Sequence, residues 1–273
     1  MAGIREIAER KGKSRTIVLN FSDFDTLYYL DILHGISDYA YAKGYSLLIS
    51  TGENFPNYAI PEICCGCIVI DVHTEDSDLK RIADRGLPVI TLDREIHYPH
   101  VKSIVVNNYA SEKQLIEGLI EGGYRRFAFL GGLDTADNRE RYTAFRDALK
   151  EHGISFGRKN YYEGDWREKS GAHTARLLML SEEMPEALIC ANDMMAIGAI
   201  RKFHENGIRI PDDIGIAGFD DIILSKAHFQ ICSIFCHSAV YPDIGIFAGW
   251  GQKSTEPTKS HKTTPPYLLK MTK

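Results

Sequence analysis

The sequence predicts an α/β fold of two similar lobes, each a parallel sheet flanked by helices. Three observations predict it. Short apolar runs alternate with amphipathic stretches along most of the chain. The runs are apolar throughout rather than at every second residue, which is the pattern of strands buried on both faces. The strand–helix rhythm also restarts after residue 106, so it reads as two sets. With 273 residues, 44% of them hydrophobic, the chain can bury one large α/β domain or two smaller lobes.

The elements follow in order. TIVLN (16–20) is β-rich and reads as the first strand, and LDILHGISDYAYAKG follows with helical spacing and a terminal glycine. SLLIS and CIVID are the next strands, joined by STGENFPNYAIPEICCG, a link short for a covering helix plus loops. A helix over Asp76–Arg85 ends in RGLP, PVITL is a strand, and SIVV near 103–106 is another. The second set runs helix 110–122, strand RFAFLGG, helix 138–152, helix 167–181, strand ALICAN, helix 193–206 and strand IGIAGF. After Ser225 the rhythm is lost, and GWGQKSTEPTKSHKTTPPYLLKMTK reads as a solvated, disordered end.

Composition excludes several classes. The net charge of −5 exerts no global pull toward nucleic acid or anionic membrane. No run approaches the ~18 apolar residues of a membrane span. Arg5, Glu6, Glu9 and Arg10 interrupt any signal-peptide core, so a cytoplasmic location is expected. The six cysteines are Cys64, Cys65, Cys67, Cys190, Cys232 and Cys236. They read as small buried thiols, and the CCGC cluster lacks the two separated ligand pairs usual for zinc. His34, His73, His97 and His100 are scattered, and no phosphate loop, zinc-protease, nucleophile-elbow or dinucleotide motif occurs. No metal, cofactor or catalytic residue is expected.

Ligands of open α/β sheets bind at the carboxyl ends of the strands, so residues just after each strand matter most. Asp93-Arg94 follow PVITL; Arg139 and Arg141 enter the helix after RFAFLGG; Trp166 ends YYEGDW; Asn192-Asp193 follow ALICA; Asp220-Asp221 follow IGIAGF. Carboxylates and amides take up hydroxyl pairs, arginine offers a planar fork of donors, and an indole stacks on an apolar ring face. Converging on a cleft between the lobes, that set suits a sugar. The alternative is structural: Asn192 and Asp193 cap their helix and Asp220 caps a turn.

The stretch CANDMMAIGAIRKFHENGIRIPDDIGIAGFDDIILS, with GLIEGGYRRFAFLGG, NRERYTAFRDALKEHGI and EGDW, resembles the effector domain of LacI/GalR-family transcriptional regulators. The resemblance runs from about Arg15 to Ser225. It implies two Rossmann-like lobes of the periplasmic binding protein-like type I fold, a homodimer, a sugar-like effector, operator DNA as partner and a repressor's role. It places Asp93, Arg141, Trp166, Asn192 and Asp220 where effectors are held, with Val106 at the lobe crossing lining the pocket and Ser22 and Tyr29 contributing from the first lobe. Asn107 and Asn108 stand at the crossing, and Asp193 serves the fold.

The expected domains are 1–14, a remnant of a helix-turn-helix head; 15–105 and 106–225, the two effector-binding lobes; and 226–273, an aberrant, partly disordered tail. IREIAERKG supplies a first head helix, but KSRTIVLN follows at once, so operator binding by this chain alone is not expected. HFQICSIFCHSAVYPDIGIFAGWGQ lacks the family's returning motifs, as a reading-frame change would make it. Two rival functions are a sugar receptor of a transport system and a phosphatase of the haloacid-dehalogenase type. The latter would use Asp23 as nucleophile and Asp25 as acid/base with Mg²⁺, but the glycine usual before the threonine of that loop is absent.

Overall fold

In a computed structural model of the chain, residues 14–22, 28–70, 73–222 and 232–234 are described. The expected head remnant lies outside them but for Ser14, and of the expected tail only 232–234 lies within them. The chain divides into two units, with the break between Val106 and Asn107.

The first lobe contains β1 (Thr16–Phe21), α1 (Tyr28–Ala42), β2 (Ser46–Thr51), α2 (Phe55–Tyr58), β3 (Gly66–Ile70), α3 (Asp76–Asp84), β4 (Val89–Leu92) and β5 (Val101–Ile104). Its strands form one parallel sheet in the order β2-β1-β3-β4-β5. Alternate residues of β1 feed two cores. Ile17, Leu19 and Phe21 pack with Ile32, Ile36 and Ala40 of α1. Val18 belongs to the cluster of Phe55, Leu79, Ile82 and Ala83 from α2 and α3. This is the period-2 geometry of a strand covered on both faces. The short link between β2 and β3 holds only the four-residue α2, whose Phe55 is fully buried.

The second lobe contains α4 (Asn108–Glu121), β6 (Phe127–Gly131), α5 (Ala136–Glu151), a 3-10 turn at Arg158–Asn160, β7 (Tyr161–Glu163), α6 (Glu168–Met179), β8 (Ala187–Cys190), α7 (Asp193–Glu205), β9 (Gly215–Phe219) and β10 (Cys232–Ile234). Its parallel sheet has the order β10-β9-β8-β6-β7. Counted within each lobe, both sheets follow the same winding: second, first, third, fourth, fifth strand. The core is a continuous apolar cluster, including Leu115, Phe129, Phe145, Ile189, Ile200 and Phe203. Helices α6 and α7 touch through backbone. A Cβ on Gly198 would stand 1.9 Å from the Glu168 carbonyl oxygen, and one on Gly171 would stand 1.9 Å from that of Met195.

Three details differ from the sequence reading. β5 covers Val101–Ile104 rather than 103–106, because Val89 to Leu92 pair with Val101 to Ile104 and the apolar Val105 lies past the pairing. β7 was not expected: three residues of YYE carry too short a pattern, and they become a strand by pairing with Phe129 to Gly131. β10 lies past Ser225, where Cys232 to Ile234 pair with Ala217 to Phe219. No helix among the described residues is long and apolar enough to cross a membrane.

Candidate ligand site at the carboxyl edge of the second sheet

In an open sheet of this winding, neighbouring strands send their chains to opposite faces at one point, and a crevice opens beyond their carboxyl ends. In the second lobe that point lies between β6 and β8. Gly131-Gly132 leave β6 there, and Ala191-Asn192 leave β8 there.

Arg141, on α5, is the centre of the group. It is only 7% exposed. Its Nε donates to Asn108 Oδ1 at 3.0 Å, and its Nη1 donates to the Ala191 carbonyl at 2.5 Å. The guanidinium lies 3.7 Å from the ring centroid of Phe219 and 5.7 Å from that of Trp166. Carboxylate oxygens of Asp137 and Asp220 each stand 3.8 Å from its Nη atoms. A buried guanidinium is tolerable only with such partners, which together fix its plane. Its neighbour in the R-x-R pair, Arg139, turns outward to Asp134.

Trp166 is seated by three features. Asn192 Nδ2 donates to its carbonyl at 3.0 Å. Asp165 Oδ1 accepts from the Arg167 N–H at 3.0 Å, closing the turn. The indole also lies directly over Gly132, where a Cβ would come within 2.2 Å of it. Gly132 is in turn clamped by Asn138, whose Oδ1 accepts its N–H at 2.9 Å. Trp166 has φ 69°, a region that costs a bulky residue about 1–2 kcal/mol. Asp220 (φ 100°) and Asp93 (φ 58°) share this left-handed backbone, and such strain gathers at ligand-holding turns.

Asn192 does two jobs. Its Oδ1 accepts from Met195 N at 3.0 Å and caps α7, while its Nδ2 holds Trp166. Asp193 is fully buried, and its Oδ2 accepts the Ile222 N–H at 3.0 Å, tying the turn after β9 to α7. Asn107 caps α4, with Oδ1 accepting from Ala110 N.

Glu112, one turn along α4 from Asn108, is fully buried, and neither carboxylate oxygen has a hydrogen-bond partner among the described residues. Burial pushes its carboxyl up to about 8, opposed by the charge of Arg141, so the acid is protonated at neutral pH.

The structure therefore joins Arg141, Trp166, Asn192 and Asp220. The other expected residues belong to the first lobe. Asp93 directly follows β4, and its Oδ2 accepts from the Tyr28 hydroxyl at 2.7 Å. Tyr29 stacks on Phe21 with centroids 5.5 Å apart. Ser22 directly follows β1, and Val106 is the last residue before the break between the units. Arg94 donates instead to the Thr74 carbonyl. Asp23 and Asp25 lie outside the described residues.

Sequence reasoning missed Tyr28, Phe219, Asn138, Glu112 and the Ala191 carbonyl as parts of these arrangements. Asn138 and Phe219 were within reach, since each stands beside a strand end. Glu112 carried no signal, because a charged residue inside an amphipathic helix reads as solvated. Among the described residues, no group of three His, Cys, Asp or Glu side chains could hold a metal ion.

A family described as periplasmic binding protein-like domain matches residues 116–244. The transcriptional regulator AscG of Escherichia coli K12 is 26% identical over 230 residues, covering 81% of this chain and 68% of the relative. The repressor PurR of Aliivibrio salmonicida is 28% identical over 226 residues, with 80% and 68% covered. The chain is thus similar to transcriptional regulators of the LacI family. The crystal structure of the Escherichia coli ascG repressor matches with TM-score 0.70 at 26% identity, over 81% of this chain and 84% of that one. The regulator CelR in complex with cellobiose matches with TM-score 0.71 at 25% identity, over 85% and 76%. The chain spans 62–68% of the length of these curated relatives.

Proposed function

We propose that this chain is the effector-sensing core of a transcriptional repressor, and that its effector is a sugar or sugar derivative held at the carboxyl edge of the second sheet. The observation that carries the reading is the group of Arg141, Trp166, Asn192 and Asp220 at the switch point between β6 and β8. A fixed guanidinium, an amide and a carboxylate suit a ligand rich in hydroxyl groups, and the indole offers a face for an apolar ring edge. Relatives named as repressors and a neighbour solved with cellobiose support the same class. On this reading Asp93, Ser22, Tyr29 and Val106 contribute from the first lobe. The protein is a cytoplasmic binding protein rather than an enzyme, and its further partners are operator DNA and a second copy of the chain.

Thermal shift of the purified protein against mono- and disaccharides tests this. A true effector raises Tm in a saturable way, by the equivalent of about 2.7 kcal/mol at a hundredfold excess over Kd. Arg141→Ala, checked for folding by circular dichroism, removes the shift. A panel in which no sugar stabilises the protein but purine bases do would replace the sugar class with another.

A further inference from the structure

We propose that Cys64 and Cys67 are an oxidisable dithiol, which hydrogen peroxide closes to a disulfide within the first lobe. Three observations support it. The two residues have C-x-x-C spacing in CCGC, and their sulfurs stand 3.9 Å apart in mutual hydrogen-bond contact. The two thiols are unequal. The Cys67 thiol bonds to Cys64 and pulls it below the ordinary thiol range against the effect of burial, helped by backbone bonds at Gly66 and Ile60. Cys67 is pushed up by its hydrogen bond with Cys64 and by burial. One sulfur is thus prepared as the nucleophile and the other as its resolving partner.

The neighbouring thiol is set apart. The Cys65 thiol donates to the Thr16 carbonyl at 3.2 Å, and burial pushes it up to about 11. Cys190, in the other lobe, is fully buried and also pushed up. Cys64 is 1% exposed and Cys67 is fully buried, among Val18, Phe55 and Leu79. That enclosure excludes a bulky disulfide as oxidant and selects a small one.

The Cys64 thiolate attacks one peroxide oxygen. The O–O bond breaks, hydroxide leaves, and Cys64 becomes a sulfenic acid. The Cys67 sulfur then attacks the Cys64 sulfur; the S–O bond breaks, and its oxygen leaves as water with the Cys67 proton. Two thiols and one peroxide become one disulfide and two waters, and the two sulfurs together lose two electrons. The sulfurs must approach by about 1.9 Å to reach the ~2.05 Å of a disulfide. The pair lies at the amino end of β3, at the opposite edge of the sheet from Asp93, so the inference does not rest on the sugar reading.

The full chain, first reduced, is treated with hydrogen peroxide, denatured, alkylated and peptide-mapped by mass spectrometry. The expected result is a loss of two mass units confined to Cys64 and Cys67, reversed by dithiothreitol, with Cys65 and Cys190 still alkylated. Cys65→Ser keeps the bond, whereas Cys64→Ser and Cys67→Ser, each folded by circular dichroism, lose it. Full alkylation of Cys64 and Cys67 after peroxide, a bond to Cys65, or sulfinic acid on Cys64 without a bond would each overturn the proposal.

Discussion

The two lobes share one winding and fill it differently. In each, the first strand is flanked by the second and the third, and the carboxyl edge beside it is where a ligand can be held. In the second lobe that edge is occupied by a buried charged group centred on Arg141, with Asn108, Ala191, Phe219, Trp166 and Asp220 around it. In the first lobe the described edge carries the Tyr28–Asp93 bond and the Phe21–Tyr29 stack. The covering helices differ too. Second-lobe helices α6 and α7 touch through glycines, whereas the link between β2 and β3 in the first lobe has only four helical residues. A common topology therefore dictates where a ligand can sit, while the residues after each strand decide how much charge is brought there.

Four substitutions test that contrast. Arg141→Ala has the largest effect: it leaves Asp220, Asn108 and the Ala191 carbonyl without the guanidinium, at a cost of about 3–5 kcal/mol in chemical denaturation. A loss under about 1 kcal/mol would show that the charged group is no keystone of the second lobe. Gly198→Ala comes next. Its Cβ meets backbone, which no rotamer change can relieve, so about 3 kcal/mol should be lost as α6 and α7 are forced apart. Near-wild-type stability would mean that the helices slide freely, and the contrast in covering layers would fall.

Glu112→Gln is read through pH. The folded carboxyl titrates near 8 and the unfolded one near 4.5, so between those values the folded state holds the extra proton. Its stabilising contribution is full below about 4.5, falls as pH rises, and is gone once pH passes about 8. Wild type should lose roughly 2–3 kcal/mol between pH 6 and 8 from this group. The glutamine variant should lack that component of the slope, and matching slopes in the two proteins would place the titration elsewhere. Tyr28→Phe has the smallest effect, removing one partly buried hydrogen bond to Asp93 for about 1 kcal/mol. A loss as large as that of Arg141→Ala would make the two edges equivalent and erase the contrast.

Much of this is legible in the sequence alone. The apolar runs TIVLN, RFAFLGG, ALICAN and IGIAGF each delivered a strand; Asn192 ends ALICAN, Asp220 follows IGIAGF, and Arg141 lies on the helix after RFAFLGG. Arg139 and Arg141 were separable because two positions along a helix face different ways. What stayed hidden depends on neighbours distant in sequence. YYE becomes β7 only because β6 offers it a partner. Glu112 looks like a surface residue until α4 packs against the sheet. Tyr28 finds its partner 65 residues away.

By itself, the sequence determined the two-lobe α/β class, the alternation of strands and helices, and the strand ends at which polar chemistry collects. These follow from local periodicity, and a buried parallel strand must be apolar wherever it sits. Only the tertiary structure decided that Arg141 is held by Asn108 and Ala191, that Asn192 both caps a helix and seats Trp166, that Glu112 is a buried neutral acid, and that two of three adjacent cysteines meet. Each of these depends on the separation of atoms far apart in sequence, which packing sets and local pattern does not encode.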